Sequence, residues 1–366
     1  MRANRTYGSE GGEASPSRPL SDKRCASFAA DNRQPTTDNR QPTTAVPHMT
    51  PAVLIPGSYV QDLCWRTERL PALGETCIGK FSTGPGGKGF NQAIACLRQG
   101  ASVRFVGALG SDALGAQARA YAAAQGLDCD WQEVAAAATA TASIVVDAQG
   151  HNLLVVDLAA NAQLDPARAA LAIGPGTRVV LTQLETSMAL VAAVMRRARE
   201  VGALALLNPA PLHPELTPEV LALADLITPN ETEFAHLLRR FGVPDAAAEP
   251  WAMDPLDLHA LCRCTGVPSV VLTLGAHGCF VSHGRDHRGD ESPYYRVPGE
   301  PVAAVDSTGA GDAFSGALAA ALALAAAGAP FRAAVVHANR VAALSVERHG
   351  TAPAMPSRAE VEARFP

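Results

Sequence analysis

From residue 52 onward, short apolar runs alternate with longer stretches whose apolar residues recur every third or fourth position. Residues 52–56, closed by Gly57, read as a buried strand, and residues 102–107, 178–184, 203–207, 225–228 and 269–274 are further apolar, β-branched strand candidates. Between them, residues 87–99, 113–125, 188–201 and 230–241 carry the helical period, with Gly100 and Gly126 closing the first two. Such alternation predicts an α/β fold with a mostly parallel sheet and helices on both faces. Two segments break it. Residues 62–81 are polar and twisting around Leu70-Pro-Ala-Leu-Gly74, and residues 141–147 and 152–158 flank an Ala-Gln-Gly150 turn as a hairpin would. Neither suits a parallel core, so both are expected as extra strands.

Residues 1–48 lack periodic apolar positions and contain a direct repeat, Asp31-Asn-Arg-Gln-Pro-Thr-Thr37 followed by Asp38-Asn-Arg-Gln-Pro-Thr-Thr44. Such a segment buries too little apolar surface to offset its ordering entropy, and it is expected to form a disordered extension. It has no apolar signal-peptide core, and Met49, just ahead of the first strand, reads as the true start. Residues 49–366 are then one folded unit.

Composition narrows the function. The chain has 366 residues, 48% hydrophobic and 18% charged, with a formal net charge of −5. That is globular, and it offers no general surface for nucleic acid. The densest basic cluster, Arg196-Arg197-Ala-Arg199, lies on an amphipathic helix as a solvated face. The alanine-rich stretch 317–327 is too short and too weakly apolar to cross a membrane. The eight cysteines are scattered, with Cys262-Arg-Cys264 the one close pair and no histidine at zinc-site spacing, as expected of reduced cysteines in a cytoplasmic protein. His277 is either a lining residue of a nucleotide pocket or a solvent-facing loop residue.

The most informative chemistry lies in Asp306-Ser-Thr-Gly-Ala-Gly-Asp312-Ala-Phe-Ser-Gly316. Two carboxylates bracket a glycine-rich turn, and the alanine-rich run behind it favours a helix. The turn therefore presents backbone N–H groups at a helix N-terminus, where open donors and the helix dipole attract an anion. Asp312 falls in the first turn of that helix. A carboxylate beside a phosphate-sized anion site is suited to taking a proton from a hydroxyl while a phosphoryl group arrives. A lone Gly-x-Gly would read as an ordinary capped loop; the Asp-x5-Asp spacing around Gly-Ala-Gly favours catalysis.

The same segment resembles the C-terminal signature of the ribokinase (phosphofructokinase-B) family of carbohydrate kinases. Gly84-Pro-Gly86-Gly87-Lys88-Gly89-Phe-Asn91-Gln-Ala93 is similar to that family's N-terminal sugar-binding signature. Thr182-Gln-Leu-Glu185, Asn208-Pro-Ala-Pro211, Thr228-Pro-Asn230-Glu-Thr-Glu233 and Thr273-Leu-Gly275-Ala-His-Gly278 follow in family order, so the resemblance runs from about Val53 to the C-terminus. It implies a three-layer α/β/α sandwich with a small β-lid, formed by segments near 59–82 and 139–158 and used for homodimer contacts. It also implies ATP-dependent phosphorylation of the primary hydroxyl of a small sugar, D-ribose giving D-ribose 5-phosphate.

A sugar is recognised by groups that both donate and accept hydrogen bonds. Asp62, Lys88, Asn91, Glu185 and the Gly86–Gly87 backbone meet that need and match the family's sugar contacts. Asp312 matches the general base, and the Gly309, Ala310 and Gly311 amides match the anion hole for the transferring phosphoryl group. Asn230 and Glu233, three apart at a helix start, share a face. They are either a capping box, or residues that hold Mg²⁺ through water and steer phosphates, or both. Thr273, Gly275, Gly278, Gly311 and Asn339 match nucleotide contacts. The resemblance implies a monovalent cation, K⁺, near Asp306, Thr308, Ser345, Arg348 and Gly350. One of that cation's ligands is in question because Ala354 stands where many relatives carry serine. A further departure bears on the substrate: the family usually has asparagine two residues before the aspartate matched to Asp62, and this chain has Val60. Another pentose, a ketohexose or a nucleoside therefore stays open as acceptor, and a non-catalytic sugar or nucleotide sensor is the rival of another class. A dehydrogenase reading is set aside, because the glycines of Gly84-Pro-Gly86-Gly87-Lys88-Gly89 do not open a first βαβ unit.

Overall fold

Successive residues of the central strands bury on opposite sides of one sheet. In strand β1 (Val53–Pro56), Val53 and Ile55 join one apolar core and Leu54 joins the other. Strand β4 (Val103–Gly110) divides likewise, Phe105 to one side and Val106 to the other. A strand buried on both faces must be covered by helices on both faces. The computed structural model describes residues 51–243 and 249–366. The expectations for residues 1–48 lie outside the described residues.

The large sheet has nine strands in the order β13-β12-β11-β10-β9-β8-β1-β4-β5. It adds β5 (Asp128–Val134), β8 (Val179–Thr182), β9 (Leu204–Leu207), β10 (Leu226–Ile227), β11 (Ser269–Thr273), β12 (Cys279–His283) and β13 (Tyr294–Val297). All pairings from β11 to β5 are parallel, whereas β12 and β13 run antiparallel at one edge. On one face lie α1 (Lys88–Arg98), α2 (Ala113–Gln125), α8 (Ala310–Leu324), α9 (Phe331–Ser345) and α10 (Arg358–Arg364). On the other lie α3 (Pro166–Leu171), α4 (Met188–Val201), α5 (Pro218–Leu221), α6 (Glu231–Arg240) and α7 (Pro255–Cys264). The result is a three-layer α/β/α sandwich.

The helix limits expected at residues 113–125 and 188–201 are those observed, each stopped by a glycine in left-handed conformation, Gly126 and Gly202. Side-chain caps open both, with Asp112 accepting from the Gly115 N–H and Ser187 from the Leu190 N–H. Strands β5, β12 and β13 lie outside the sequence expectation. Strand β5 is polar because it closes one edge of the sheet, and polar edge strands carry little apolar signal.

The two segments that break the alternation meet in a second, four-stranded sheet ordered β3-β2-β6-β7. It is formed by β2 (Val60–Arg66), β3 (Lys80–Gly86), β6 (Thr141–Val146) and β7 (Asn152–Asp157). Strand register puts Val60, Asp62, Ala142 and Ile144 on one face, and Leu63, Trp65, Phe81, Val145, Leu153 and Val155 on the other.

Candidate active site

The chain leaves β1 toward β4 on one side, and β8 continues to β9 on the other. Open α/β sheets hold their ligands beyond the carboxyl ends of the strands at such a reversal. Ser58, just past β1, and Glu185, just past β8, meet there: the Ser58 hydroxyl donates to Glu185 Oε2 at 2.5 Å. The same oxygen accepts the Lys88 backbone N–H at 2.9 Å. Glu185 thus ties the start of α1 to the end of β8.

Asp312 enters from above on the first turn of α8 and is 6% exposed. Its two oxygens are held separately by consecutive residues of α1: Asn91 Nδ2 donates to Oδ2 and Gln92 Nε2 to Oδ1, both at 2.9 Å. Two adjacent helix residues reach one carboxylate because α8 crosses α1 closely. The crossing is set by Gly316, where a Cβ would lie 2.3 Å from the Gln92 carbonyl oxygen and 2.8 Å from Ala95 Cβ. Asn91 gives one hydrogen of its amide to Asp312, a contact that its assignment to sugar did not include. Its Oδ1 is buried without a partner, an acceptor open to a ligand hydroxyl.

No side chain caps α8; its N-cap is Gly309, in left-handed conformation at φ 81°. Gly311 faces open space, where a Cβ would meet nothing within 4 Å. The Ala310 N–H is already bonded to the Ser307 carbonyl at 3.2 Å, so of the three expected anion-hole amides this one is engaged.

Asp62 stands on the β2 face that looks into the site. Gly86 gives it room, because a Cβ there would lie 2.3 Å from Asp62 Oδ2. Gly87 is the N-cap of α1 at φ 89°, with its missing Cβ directed at the Val60 and Ser58 backbone. Burial pushes the Asp62 carboxyl up to about 7; a hydrogen bond from Thr351 opposes this, and the nearby Glu185 and Asp312 add to it. The Thr351 hydroxyl lies 3.4 Å from Asp62 Oδ2 and also donates to the Pro85 carbonyl. Lys88 is the compensating charge. Burial works against its ammonium, but Asp312, Glu185 and Glu233 outweigh that and hold its pKa above the ordinary value.

These shifts predict a pH-dependent stability. The folded pKa of Asp62 lies above its unfolded value, so its cost to the fold is absent at low pH and accrues as pH rises from about 4 to about 7. Asp62→Asn is expected to stabilise the ligand-free protein by on the order of 1 kcal/mol or more at pH 8, and much less at pH 5. Melting temperatures of both proteins at the two pH values test this. An equal difference at both would remove burial of the carboxyl as the cause.

On the nucleotide side, Asn230 and Glu233 do form a capping box at the start of α6. Glu233 Oε2 accepts the Asn230 N–H at 2.9 Å, and Asn230 Oδ1 accepts the Glu233 N–H at 2.8 Å. Burial raises the Glu233 carboxyl, partly offset by the Asn230 N–H and by Lys88. With both Glu233 oxygens already accepting from Asn230, the donor set fits Mg²⁺ held through water better than direct ligation. Thr273 lies beside Asn230 through an isolated bridge. Gly275 is open toward solvent. Gly278 is required by the packing of its own turn: at φ 82° a Cβ would lie 2.1 Å from the Val297 carbonyl oxygen. His277 is exposed and stacks on Trp251, with ring centroids 5.2 Å apart. Asn339 donates to the Pro298 carbonyl at 3.0 Å.

The expected cation loop divides. Asp306 Oδ1 accepts the Thr308 N–H at 3.0 Å and Oδ2 the Gly350 N–H at 3.1 Å. Burial alone would raise this carboxyl, but the Thr308 and Gly350 donors hold it below the ordinary range. An ionised carboxylate among backbone groups fits a monovalent cation. Two of the named side chains do not turn toward it: Ser345 donates to the Ala342 carbonyl of its own helix, and Arg348 pairs with Glu360. Any part they take in the cation site is left to their backbone carbonyls.

Ser58, Gln92, Gln183, Gly316 and Thr351 complete the site, and the sequence reading assigned them no role. Gln92 and Gln183 carried a signal, being amides within otherwise apolar stretches that must pair once buried.

A doubly covered parallel sheet with an acidic, glycine-capped helix start over its carboxyl edge is the framework of a phosphotransferase. The chain belongs to the pfkB family of carbohydrate kinases, whose profile matches residues 54–358. It is thus a sugar kinase with an alcohol group as acceptor. It is 36% identical to the ribokinase of Bacillus subtilis over 314 residues, 85% of this chain and 98% of that protein. Its fold overlays that of Giardia lamblia ribokinase with a TM-score of 0.76 at 27% identity, covering 87% of this chain and 99% of the other. Arabidopsis thaliana ribokinase complexed with ribose and ATP overlays at 0.73, also 27% identical, covering 86% and 98%. Among the described residues no helix is long and apolar enough to cross a membrane.

Proposed function

We propose that this kinase transfers the γ-phosphoryl group of ATP to the primary hydroxyl of D-ribose, giving D-ribose 5-phosphate and ADP. The observation that carries the reading is the convergence of Asp62, Lys88, Asn91, Glu185 and Asp312, drawn from separate elements, on one spot beneath the open start of α8. Asp312, held by the Asn91 and Gln92 amides, takes the hydroxyl proton as the oxygen–phosphorus bond forms. The Gly309 and Gly311 amides receive the transferring phosphoryl oxygens, with Ala310 joining if its bond to Ser307 yields. Asp62, Glu185 and the Asn91 Oδ1 acceptor orient the sugar hydroxyls. Lys88 offsets the carboxylates around it. Thr273, Gly275 and Asn339 border the nucleotide. Asn230 and Glu233 would hold hydrated Mg²⁺, and the Asp306–Thr308 and Gly350 loops would hold K⁺; bound there, these cations neutralise phosphate charge and the cation loop beside the anion hole.

The four-stranded sheet acts in this reading as a lid, and its outer face supports a homodimer. Phe81, Leu153 and Val155 are 51%, 51% and 73% exposed on that face, beside Trp65. A cytoplasmic setting agrees with the unpaired state of the seven described cysteines.

ADP release with MgATP and KCl across a panel of pentoses, hexoses and nucleosides tests the assignment. Ribose should give the highest kcat/KM; a silent panel would return the protein to the sensor reading, and a flat one would remove ribose as the preferred acceptor. A different small acceptor is the second reading, and Val60 favours it. Val60 is buried with Ala140 and Ala142 on the face that carries Asp62, so no hydroxyl partner is offered there. Val60→Asn is expected to raise kcat/KM for ribose over other acceptors by about 2- to 13-fold, the worth of one regained hydrogen bond. An unchanged ranking in the mutant would mean that position 60 does not meet the substrate.

A further inference from the structure

Behind Asp312 the Gln92 amide continues into a chain of buried amides, Gln183 and Asn208, to which the reaction described above gives no task. Gln92 is fully buried on α1. Its amide nitrogen contacts both Asp312 Oδ1 at 2.9 Å and Asn208 Oδ1 at 3.1 Å, which commits both its hydrogens. Its Oε1 accepts from Gln183 Nε2 at 2.5 Å. Asn208 in turn donates to the Thr228 carbonyl at 2.9 Å. The carboxyl ends of β8, β9 and β10 are thereby joined to Asp312 through a single side chain.

The direction of this chain matters. A Gln92 amide turned over would set its carbonyl oxygen against the Asp312 carboxylate and its NH₂ against that of Gln183. Both pairs are like against like in a dry site, where an unmatched polar group is costly. Asn208, anchored by its own donation to the Thr228 carbonyl, therefore presents an oxygen that fixes which end of Gln92 meets the carboxylate, and Gln183 supplies the donor at the other end. The surroundings make the donated hydrogen valuable. Asp62 from β2 and Glu233 from α6 bring negative charge toward Asp312, and Glu185 past β8 gathers with these carboxylates around the ammonium of Lys88 on α1. The Asn91 and Gln92 N–H groups aimed at the carboxylate make charge-assisted hydrogen bonds.

We propose that Gln92 is a positioning residue for the base, oriented by Gln183 and Asn208, which holds Asp312 ionised and in one rotamer beneath the acceptor hydroxyl. The proposal rests on the reading of Asp312 as base. With one amide on each oxygen, a second lone pair on each stays free, and the proton can be accepted without breaking the support.

The test is the pH profile of kcat at saturating substrates, which reports groups in the bound complex. In Gln92→Leu the acid limb should move up by about one to two pH units, the worth of one hydrogen bond to a charged group, with activity recovering at high pH and acceptor KM little changed. Gln92→Glu, of the same shape but bringing a second acid, should move it further. Gln183→Leu should move it less in the same direction, and it serves if the Gln92 variants do not fold. A fall in kcat with the acid limb unmoved in all folded variants would make the amides merely structural and overturn the proposal. Asp312→Asn is run alongside: near-normal turnover there removes the base itself, a failure distinct from that of the amide support.

Discussion

Asp312→Asn is expected to lower kcat by about 10²–10⁴-fold, the usual contribution of a general base, while leaving sugar and nucleotide binding largely intact. The substitution keeps the shape and one carbonyl oxygen, so Asn91 or Gln92 retains an acceptor. What is lost is the capacity to take the hydroxyl proton. The new NH₂ group would face the other donor, but that cost falls on the fold rather than on the acceptor contacts. Steady-state kinetics with a separate binding measurement for each substrate divides the two effects. Turnover near the wild-type rate would exclude Asp312 from the chemistry.

Gly316→Ala is expected to disturb the same carboxylate from one turn away. The added Cβ would lie 2.3 Å from the Gln92 carbonyl oxygen, a backbone atom that cannot rotate aside. Helix α8 must therefore move off α1, at a cost of about 1–3 kcal/mol for overpacking. Because Asp312 is one helical turn before Gly316 on the same face, that movement draws it away from both amide donors. A misplacement of about 1 Å at a reacting group can cost on the order of 10²-fold in rate. The expected result is a lower melting temperature together with a kcat loss much larger than the loss of folded protein. A variant that is destabilised yet fully active would show that the helix crossing does not position the base.

Comparing these two residues shows what kind of information a single chain carries. The place of Asp312 was readable because it depends on neighbours in sequence: a glycine turn, a helix start and a carboxylate within one turn of it. Gly316 sits in the same segment and gives no such signal, because the atom that forbids a side chain there belongs to α1, more than two hundred residues earlier. The capping box at Asn230 and Glu233 was equally local, and its hydrogen bonds are the ones the spacing implies. Whether the same pair also faces a hydrated cation depends on Lys88 and Asp312, which reach it only through the fold.

The sequence by itself determined the α/β alternation, the helix limits at residues 113–125 and 188–201, the two segments outside the main sheet, and which residue types are offered to the proposed sugar and phosphate sites. These follow from periodicity, capping and motif spacing, all of which act over a few residues. Only the tertiary structure decided that the two stray segments pair with each other, that β12 and β13 run antiparallel at an edge, and that the Val297 carbonyl leaves no room for a side chain at Gly278. It alone decided that Asn91 and Gln92 divide the oxygens of Asp312 between them. Pairing, close approach and the sharing of donors are properties of groups distant in sequence, and their energies exist only once the chain has brought those groups together.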